Sequence, residues 1–150
     1  MNPRGVNPYL KTKIMTASPE ELRLMLYDGA IKFARQAKLA LEQGDYETSY
    51  NNLIRAQKIV LELSTSLKHD VDPTLCDKLA ALYTYIYRKL VDANMSRTMP
   101  DIDEAIKLLD YERQTWQMLM QKLAAEEGRT GNASADGARQ TAISSWSQSA

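Results

Sequence analysis

The chain has 150 residues, and its 19 basic and 19 acidic side chains give a formal net charge of zero. That balance lacks the basic excess typical of a nucleic-acid-binding protein. No apolar run approaches the roughly 20 residues of a membrane span, no secretory signal opens the chain, and a single cysteine, Cys76, cannot form an internal disulfide. These features predict a cytoplasmic single-domain protein with no nucleic-acid partner and no stable membrane insertion.

The first 17 residues precede the first clear helix signal. Pro3, Gly5 and Pro8 argue against a continuous helix here. Several apolar side chains in this segment could still pack onto the rest of the domain, namely Val6, Tyr9, Leu10, Ile14 and Met15. We therefore predict an N-terminal cap segment over residues 1–17.

The first two predicted helices have well-marked ends. Ser18 is a good N-cap, Pro19 suits the first helical position, and Glu21 completes a capping box. Gly44 then ends this helix and Asp45 caps the next. Apolar residues at steps of three or four predict the core face of each helix. These are Leu22, Leu26, Gly29, Phe33, Ala37 and Leu41 in the first, and Leu53, Ala56, Val60, Leu63 and Leu67 in the second.

Two further helices follow the same pattern. Asp72 and Pro73 predict the start of the third, and Asp101 with Glu104 predicts a capping box for the fourth. Their apolar stripes are Leu75, Leu79, Leu82, Ile86 and Leu90, then Ile102, Ile106, Leu109, Trp116, Met120 and Leu123. Four long helices with short connections predict an all-α antiparallel four-helix bundle. We place the domain at residues 1–127 and a disordered tail at 128–150, in which Trp146 is more plausibly solvated than a docking anchor.

Residues suited to catalysis do not form a recognisable set. His69 is the only histidine and lies in a charged helix-to-loop junction. Cys76 lies in the first turn of the third helix, where a small core-facing residue is the commoner interpretation than a reactive thiol. No metal-ligand spacing or phosphate-binding glycine loop is present in the sequence. We predict no enzyme activity, no metal and no cofactor.

The helices carry more apolar residues than a core-facing stripe needs. The additional residues are Met25, Tyr27 and Ile31 in the first helix, Tyr50, Ile54, Ile59 and Leu61 in the second, and Tyr83 and Tyr87 in the third. They could form exposed grooves for an amphipathic partner helix, or they could belong to a wide core with amphipathic rims. The spacing alone leaves both interpretations open.

Several ordered segments resemble the FliS-type, flagellin-specific export chaperones. The matching segments are TASPEELRLMLYDGAI at 16–31, NLIRAQKIVLEL at 52–63 and LYTYIYRKLVDAN at 82–94, followed by Trp116 in the fourth helix. The resemblance implies a cytosolic chaperone that binds the C-terminal segment of flagellin in apolar grooves, prevents premature polymerisation and helps deliver it to the membrane export gate. It also implies an N-terminal segment that can cover part of the binding surface.

The resemblance and the off-stripe positions together suggest a set of partner-binding residues. Tyr9 and Ile14 match the family's N-terminal lid pattern, and residues 1–15 would act as the lid. The predicted contacts are Tyr9, Ile14, Tyr27, Ile54, Leu61, Tyr83 and Tyr87. Regulatory flagellar proteins are further conceivable partners. The alternatives are an adaptor or homo-oligomeric bundle without a flagellin client and, from another class, an enzyme that uses Cys76 or His69.

Overall fold

A computed structural model describes residues 7–67 and 73–130, apart from the side chains of 75, 123, 129 and 130. The described residues form five helices and no strand: α1 (Pro8–Thr16), α2 (Pro19–Glu42), α3 (Tyr46–Thr65), α4 (Pro73–Ser96) and α5 (Met99–Thr130). None of these helices is long and apolar enough to cross a membrane. His69, Asp72, Ile143 and Trp146 lie outside the described residues.

Helices α2 to α5 form the predicted four-helix bundle. Around the bundle α2 packs on α3, α3 on α4, α4 on α5, and α5 on α2. Cross-helix pairs show that neighbours run antiparallel: Lys38 near the end of α2 pairs with Asp103 near the start of α5 at 2.7 Å. Trp116, farther along α5, donates from Nε1 to the Glu20 carbonyl oxygen at 2.7 Å. The expected all-α antiparallel architecture is confirmed.

The helix starts show which capping signals operate. The Glu21 amide donates to Ser18 Oγ at 3.2 Å, and the Thr48 amide donates to Asp45 Oδ1 at 3.2 Å. Gly44 adopts φ 74°, the left-handed conformation that ends a helix without a steric penalty. The predicted capping box of Asp101 and Glu104 is wrong, because α5 already begins at Met99 and the hydroxyl of Thr98 donates to Asp101.

The two ends of the domain also differ from expectation. A helix does form in the N-terminal segment, because Pro8 occupies the first position of α1, where proline starts a helix without losing a hydrogen bond. Asn7 caps it by accepting a hydrogen bond from the Leu10 amide. At the other end α5 continues through Gly128 to Thr130 before the described residues end. The helical part is therefore three residues longer than the predicted domain.

The stripe predicted for the second helix matches the core. Its four residues in α3 and the fifth, just after the helix, are all buried: Leu53, Ala56, Val60, Leu63 and Leu67. The buried face of α2 is rotated from the predicted stripe by less than one residue position, so that Ala37 belongs to both and Leu26, Phe33 and Leu41 still pack against the core. Its buried face carries Tyr27, Ala30, Ile31, Ala34, Ala37 and Ala40, whereas Leu22, Leu26 and Phe33 are only half-buried. The alanines let α2 approach α3 closely, and a Cβ on Gly29 would lie 3.2 Å from Ile59 Cδ1. Close helix packing, rather than side-chain size, therefore determines which face of α2 is central.

Candidate peptide-binding groove

Two separate depressions lie between α3 and α4, one towards each end of α3. Helix α3 contributes Tyr46, Tyr50, Ile54 and Leu61, which recur at the spacing of one helix face. On the opposite side, Tyr87 of α4 lines one depression and Arg97, directly after α4, lines the other, and Val91 of α4 lies between them in the sequence. We call this surface, with those seven residues, the α3–α4 groove. It extends about 27 Å from Tyr46 to Ser64 at roughly 1.5 Å per helical residue.

The end of the groove farther from the α3 N-terminus contains an apolar depression of about 110 Å³. Leu61 and Tyr87 stand on its two rims, and Val60 and Tyr83 contribute to its lining with Ser64 and Thr84. Leu61 is 53% exposed although its side chain carries no polar atom. A large apolar side chain held at the rim of an apolar depression is what an amphipathic partner helix requires.

The opposite end of the groove contains a more polar pocket of about 70 Å³. Its lining consists of Leu41, Tyr46, Ser49, Tyr50, Ala93, Asn94 and Arg97. Asn94 spans the groove by donating from Nδ2 to the Tyr50 carbonyl oxygen at 3.5 Å. Two half-exposed tyrosines flank this pocket, and tyrosine and arginine are enriched at the energetically important positions of protein interfaces.

The structure divides the predicted contact residues into three groups. Ile54, Leu61 and Tyr87 lie in the groove, where Ile54 is half-buried and the other two are exposed. Tyr9 and Ile14 are exposed on α1, none of whose nine residues is buried. The described part of the predicted lid therefore does not cover the groove in this structure.

Tyr27 and Tyr83 are buried rather than exposed as the off-stripe interpretation expected, although Tyr83 contributes to the lining of the apolar depression. Both are fully buried, and their hydroxyl oxygens lie 2.6 Å apart across the bundle core. Arg23 donates from Nη2 to the Tyr83 hydroxyl at 3.0 Å and from Nη1 to Ser66 Oγ at 2.8 Å. We call Arg23, Tyr27 and Tyr83 the buried cluster. Burial of the two tyrosine hydroxyls and of the two terminal Arg23 nitrogens is tolerated because each of these atoms has a hydrogen-bond partner.

Electrostatic effects around the buried cluster follow from desolvation. Burial raises the pKa of both Tyr27 and Tyr83 above the usual tyrosine range, so both stay neutral at physiological pH. Burial also raises the pKa of the nearby Glu112 carboxyl, although the positive charge of Arg23 acts in the opposite direction. The buried cluster is thus a hydrogen-bonded part of the core. Of its three residues, only Arg23 is charged.

Catalytic or metal-binding geometry is not apparent within residues 7–67 and 73–130. Cys76 is fully buried, in agreement with its interpretation as a small core residue. The same residues contain no group of three or more histidine, cysteine, aspartate or glutamate side chains that could hold a metal ion.

Sequence reasoning missed Tyr46, Asn94 and Arg97 as groove residues. Tyr46 is the first residue of α3 and shares a face with Tyr50 and Ile54, a signal that could have found it, whereas Arg97 follows α4 and belongs to no repeated stripe. Their proximity depends on how the α2–α3 and α4–α5 connections meet at one end of the bundle. No local pattern in the sequence identifies that arrangement.

The described residues therefore define a helical-bundle protein with an exposed apolar depression between two neighbouring helices. Comparison with known proteins specifies the family: a family model described as "Flagellar protein FliS" matches residues 2–123. The chain belongs to the FliS family.

Three relatives show how far the similarity extends, and each is named flagellar secretion chaperone FliS. The Bacillus subtilis protein is 37% identical over 118 residues, covering 77% of this chain and 87% of the relative. The Salmonella typhimurium protein is 31% identical over 130 residues, covering 83% and 96%. The Campylobacter jejuni protein is 28% identical over 115 residues, covering 77% and 90%. Similarity therefore spans nearly the whole length of these relatives.

Proposed function

We propose that this protein is a cytosolic flagellar export chaperone that binds the C-terminal segment of flagellin in the α3–α4 groove. Binding would prevent premature polymerisation of flagellin and help deliver it to the export gate. The observation that carries the proposal is the apolar depression between Leu61 and Tyr87 in a chain of the FliS family. The names of the relatives, which describe secretion chaperones, support the same role.

The groove suits a partner that folds on binding. Ordering an unfolded segment costs free energy, which burial of a long apolar strip must offset. About 27 Å of groove accommodates a helix of roughly 18 residues, which is five turns. Such a partner can bury a large surface and still be released at moderate affinity, as export requires.

The N-terminal segment supplies a second apolar surface in this proposal. Tyr9 and Ile14 are exposed on α1, and two extended residues, Ala17 and Ser18, join α1 to the bundle. Because this connection is short and extended and no residue of α1 is buried, α1 can change its position relative to the bundle. We propose that residues 1–15 act as a movable lid that either shields the groove or contacts the bound segment.

Titration calorimetry with a peptide covering about the last 50 residues of the host's flagellin tests the function. We expect saturable one-to-one binding with a negative heat-capacity change, the signature of apolar burial. Absence of binding by the folded protein would exclude a flagellin client. Sedimentation at several concentrations tests the alternative of a homo-oligomer, for which the exposed apolar residues Tyr111 and Met118 of α5 offer a contact surface. An obligate oligomer would not dissociate to the 17.0 kDa monomer.

A further inference from the structure

Arg97 has an unusual backbone conformation at the polar end of the α3–α4 groove. It is the only non-glycine residue with a positive φ within the described ranges, and its φ is 54°. This left-handed conformation is unfavourable for a residue with a Cβ, and glycine or asparagine adopts it at lower cost. Residues in such conformations are often found at functional sites. We therefore asked what the guanidinium group of Arg97 contacts.

The guanidinium group of Arg97 is held in place by stacking. Its central carbon lies 3.9 Å from the centroid of the Tyr46 ring, a close cation–π contact. A guanidinium group over a ring face keeps its N–H groups available to donate to a planar acceptor. Tyr46 is the first residue of α3, so its Cα is held at the end of that helix, beside the pocket.

No ion pair within the described part of the chain uses the charge of Arg97. Asp45, the N-cap of α3, instead accepts a hydrogen bond from the Thr48 amide, and hydrogen bonding to Thr48, chiefly through its side chain and then through its amide, lowers the pKa of Asp45. The pocket beside Arg97 also contains the side-chain amide of Asn94 and has a volume of about 70 Å³. That space accommodates a few heavy atoms, the size of a carboxylate group.

We infer that Tyr46, Asn94 and Arg97 form a pocket for a carboxylate of the segment bound in the α3–α4 groove. This inference rests on the proposed function and adds an electrostatic anchor to the apolar one at Leu61 and Tyr87. An arginine paired in fork geometry with a carboxylate fixes orientation as well as adding affinity. The pocket therefore determines the direction and register in which the segment lies along the groove.

Calorimetry with the flagellin C-terminal peptide tests the pocket through Arg97→Asn. Asparagine tolerates the left-handed backbone, so the unfolding midpoint should stay the same or rise. We expect affinity to fall about three- to tenfold, the equivalent of roughly 0.7–1.4 kcal/mol. Arg97→Lys keeps the charge but not the planar fork, so it should recover only part of the loss. Arg35→Asn, which removes an exposed arginine from α2, is the matched control and should bind as wild type.

Peptide variants identify the source of the carboxylate. An amidated C terminus should weaken binding to wild type but not to Arg97→Asn if the terminal carboxylate is the ligand. If a side chain is the ligand, Asp→Asn or Glu→Gln changes in the peptide should instead weaken binding to wild type but not to Arg97→Asn. Equal affinity of wild type and Arg97→Asn, or no coupling with any peptide, would overturn the pocket while leaving the proposed function intact. Absence of binding by wild type itself would overturn both.

Discussion

Two regions of this bundle use tyrosine in opposite ways. In the buried cluster, Tyr27 and Tyr83 lie in the core and bond to each other and to Arg23. In the α3–α4 groove, Tyr50 and Tyr87 remain substantially exposed at the rims. Tyr83 and Tyr87 are only one helical turn apart on α4, so a small difference in angle around the helix separates the two environments. Removal of a core tyrosine should affect folding, whereas removal of a groove tyrosine should affect binding.

The largest expected effect is the loss of stability in Tyr83→Ala. Removing a fully buried ring leaves a cavity and deprives Arg23 and Tyr27 of a hydrogen-bond partner. We expect the free energy of unfolding to fall by about 3–5 kcal/mol, measured by urea denaturation. Tyr83→Phe, which keeps the ring, should lose much less. A change below about 1 kcal/mol in Tyr83→Ala would contradict the role assigned to the buried cluster.

Tyr87→Ala should show the complementary result. Its exposed ring contributes little to folding, so the free energy of unfolding should change by less than about 1 kcal/mol. Affinity for the flagellin peptide should fall about tenfold, because an aromatic side chain at the groove rim would be lost from the interface. Equal affinity of mutant and wild type in calorimetry would remove Tyr87 from the contact surface.

Glu112→Gln tests the electrostatics next to the buried cluster with a smaller expected effect. The raised pKa of Glu112 means that the folded state favours its neutral form, so its ionisation destabilises the fold. Stability should consequently fall as pH rises from the usual glutamate value of 4.5 through the raised pKa. Glutamine should make the protein more stable than wild type at neutral pH, with the difference vanishing below pH 4.5. Denaturation curves at several pH values measure this, and a difference independent of pH would rule out the mechanism.

Deletion of residues 1–15 should have the smallest effect on folding. Because α1 has no buried residue, its loss should remove little more than its own helical signal from the circular dichroism spectrum. The bundle should stay folded and binding should not be abolished. Collapse of the helical spectrum would mean that the segment is structural, and the lid proposal would fail.

The fold was predictable because its signals are local. Caps such as Ser18 and Asp45 act within one helical turn. The apolar stripe of α3 shows which face of that helix packs against the core. The central face of α2 was not predictable in this way. Leu26 and Phe33 are larger than Ala30 and Ala34, yet the alanines are central because the helices approach closely there. Backbone approach distance is a tertiary property that a pattern of side-chain sizes does not contain.

The groove was predictable only in part for a related reason. Ile54, Leu61 and Tyr87 were proposed because they exceed the needs of a core stripe, and the same criterion included Tyr27 and Tyr83, which the structure buries. Hydropathy does not distinguish a tyrosine at a rim from one whose hydroxyl meets a partner inside the core. Arg97 was missed because its role depends on a backbone angle and on stacking against Tyr46, 51 positions earlier in the chain.

The location of the binding site is tested most directly by methyl NMR of the protein titrated with the flagellin C-terminal peptide. The methyl groups of Ile54, Leu61 and Val91 report on the α3–α4 groove, and those of Leu39 and Met118, exposed on α2 and α5, serve as references. We predict that the groove signals shift to saturation while the reference signals stay unchanged. Shifts at Leu39 or Met118 with an unperturbed groove would contradict the account and place the binding surface elsewhere on the bundle.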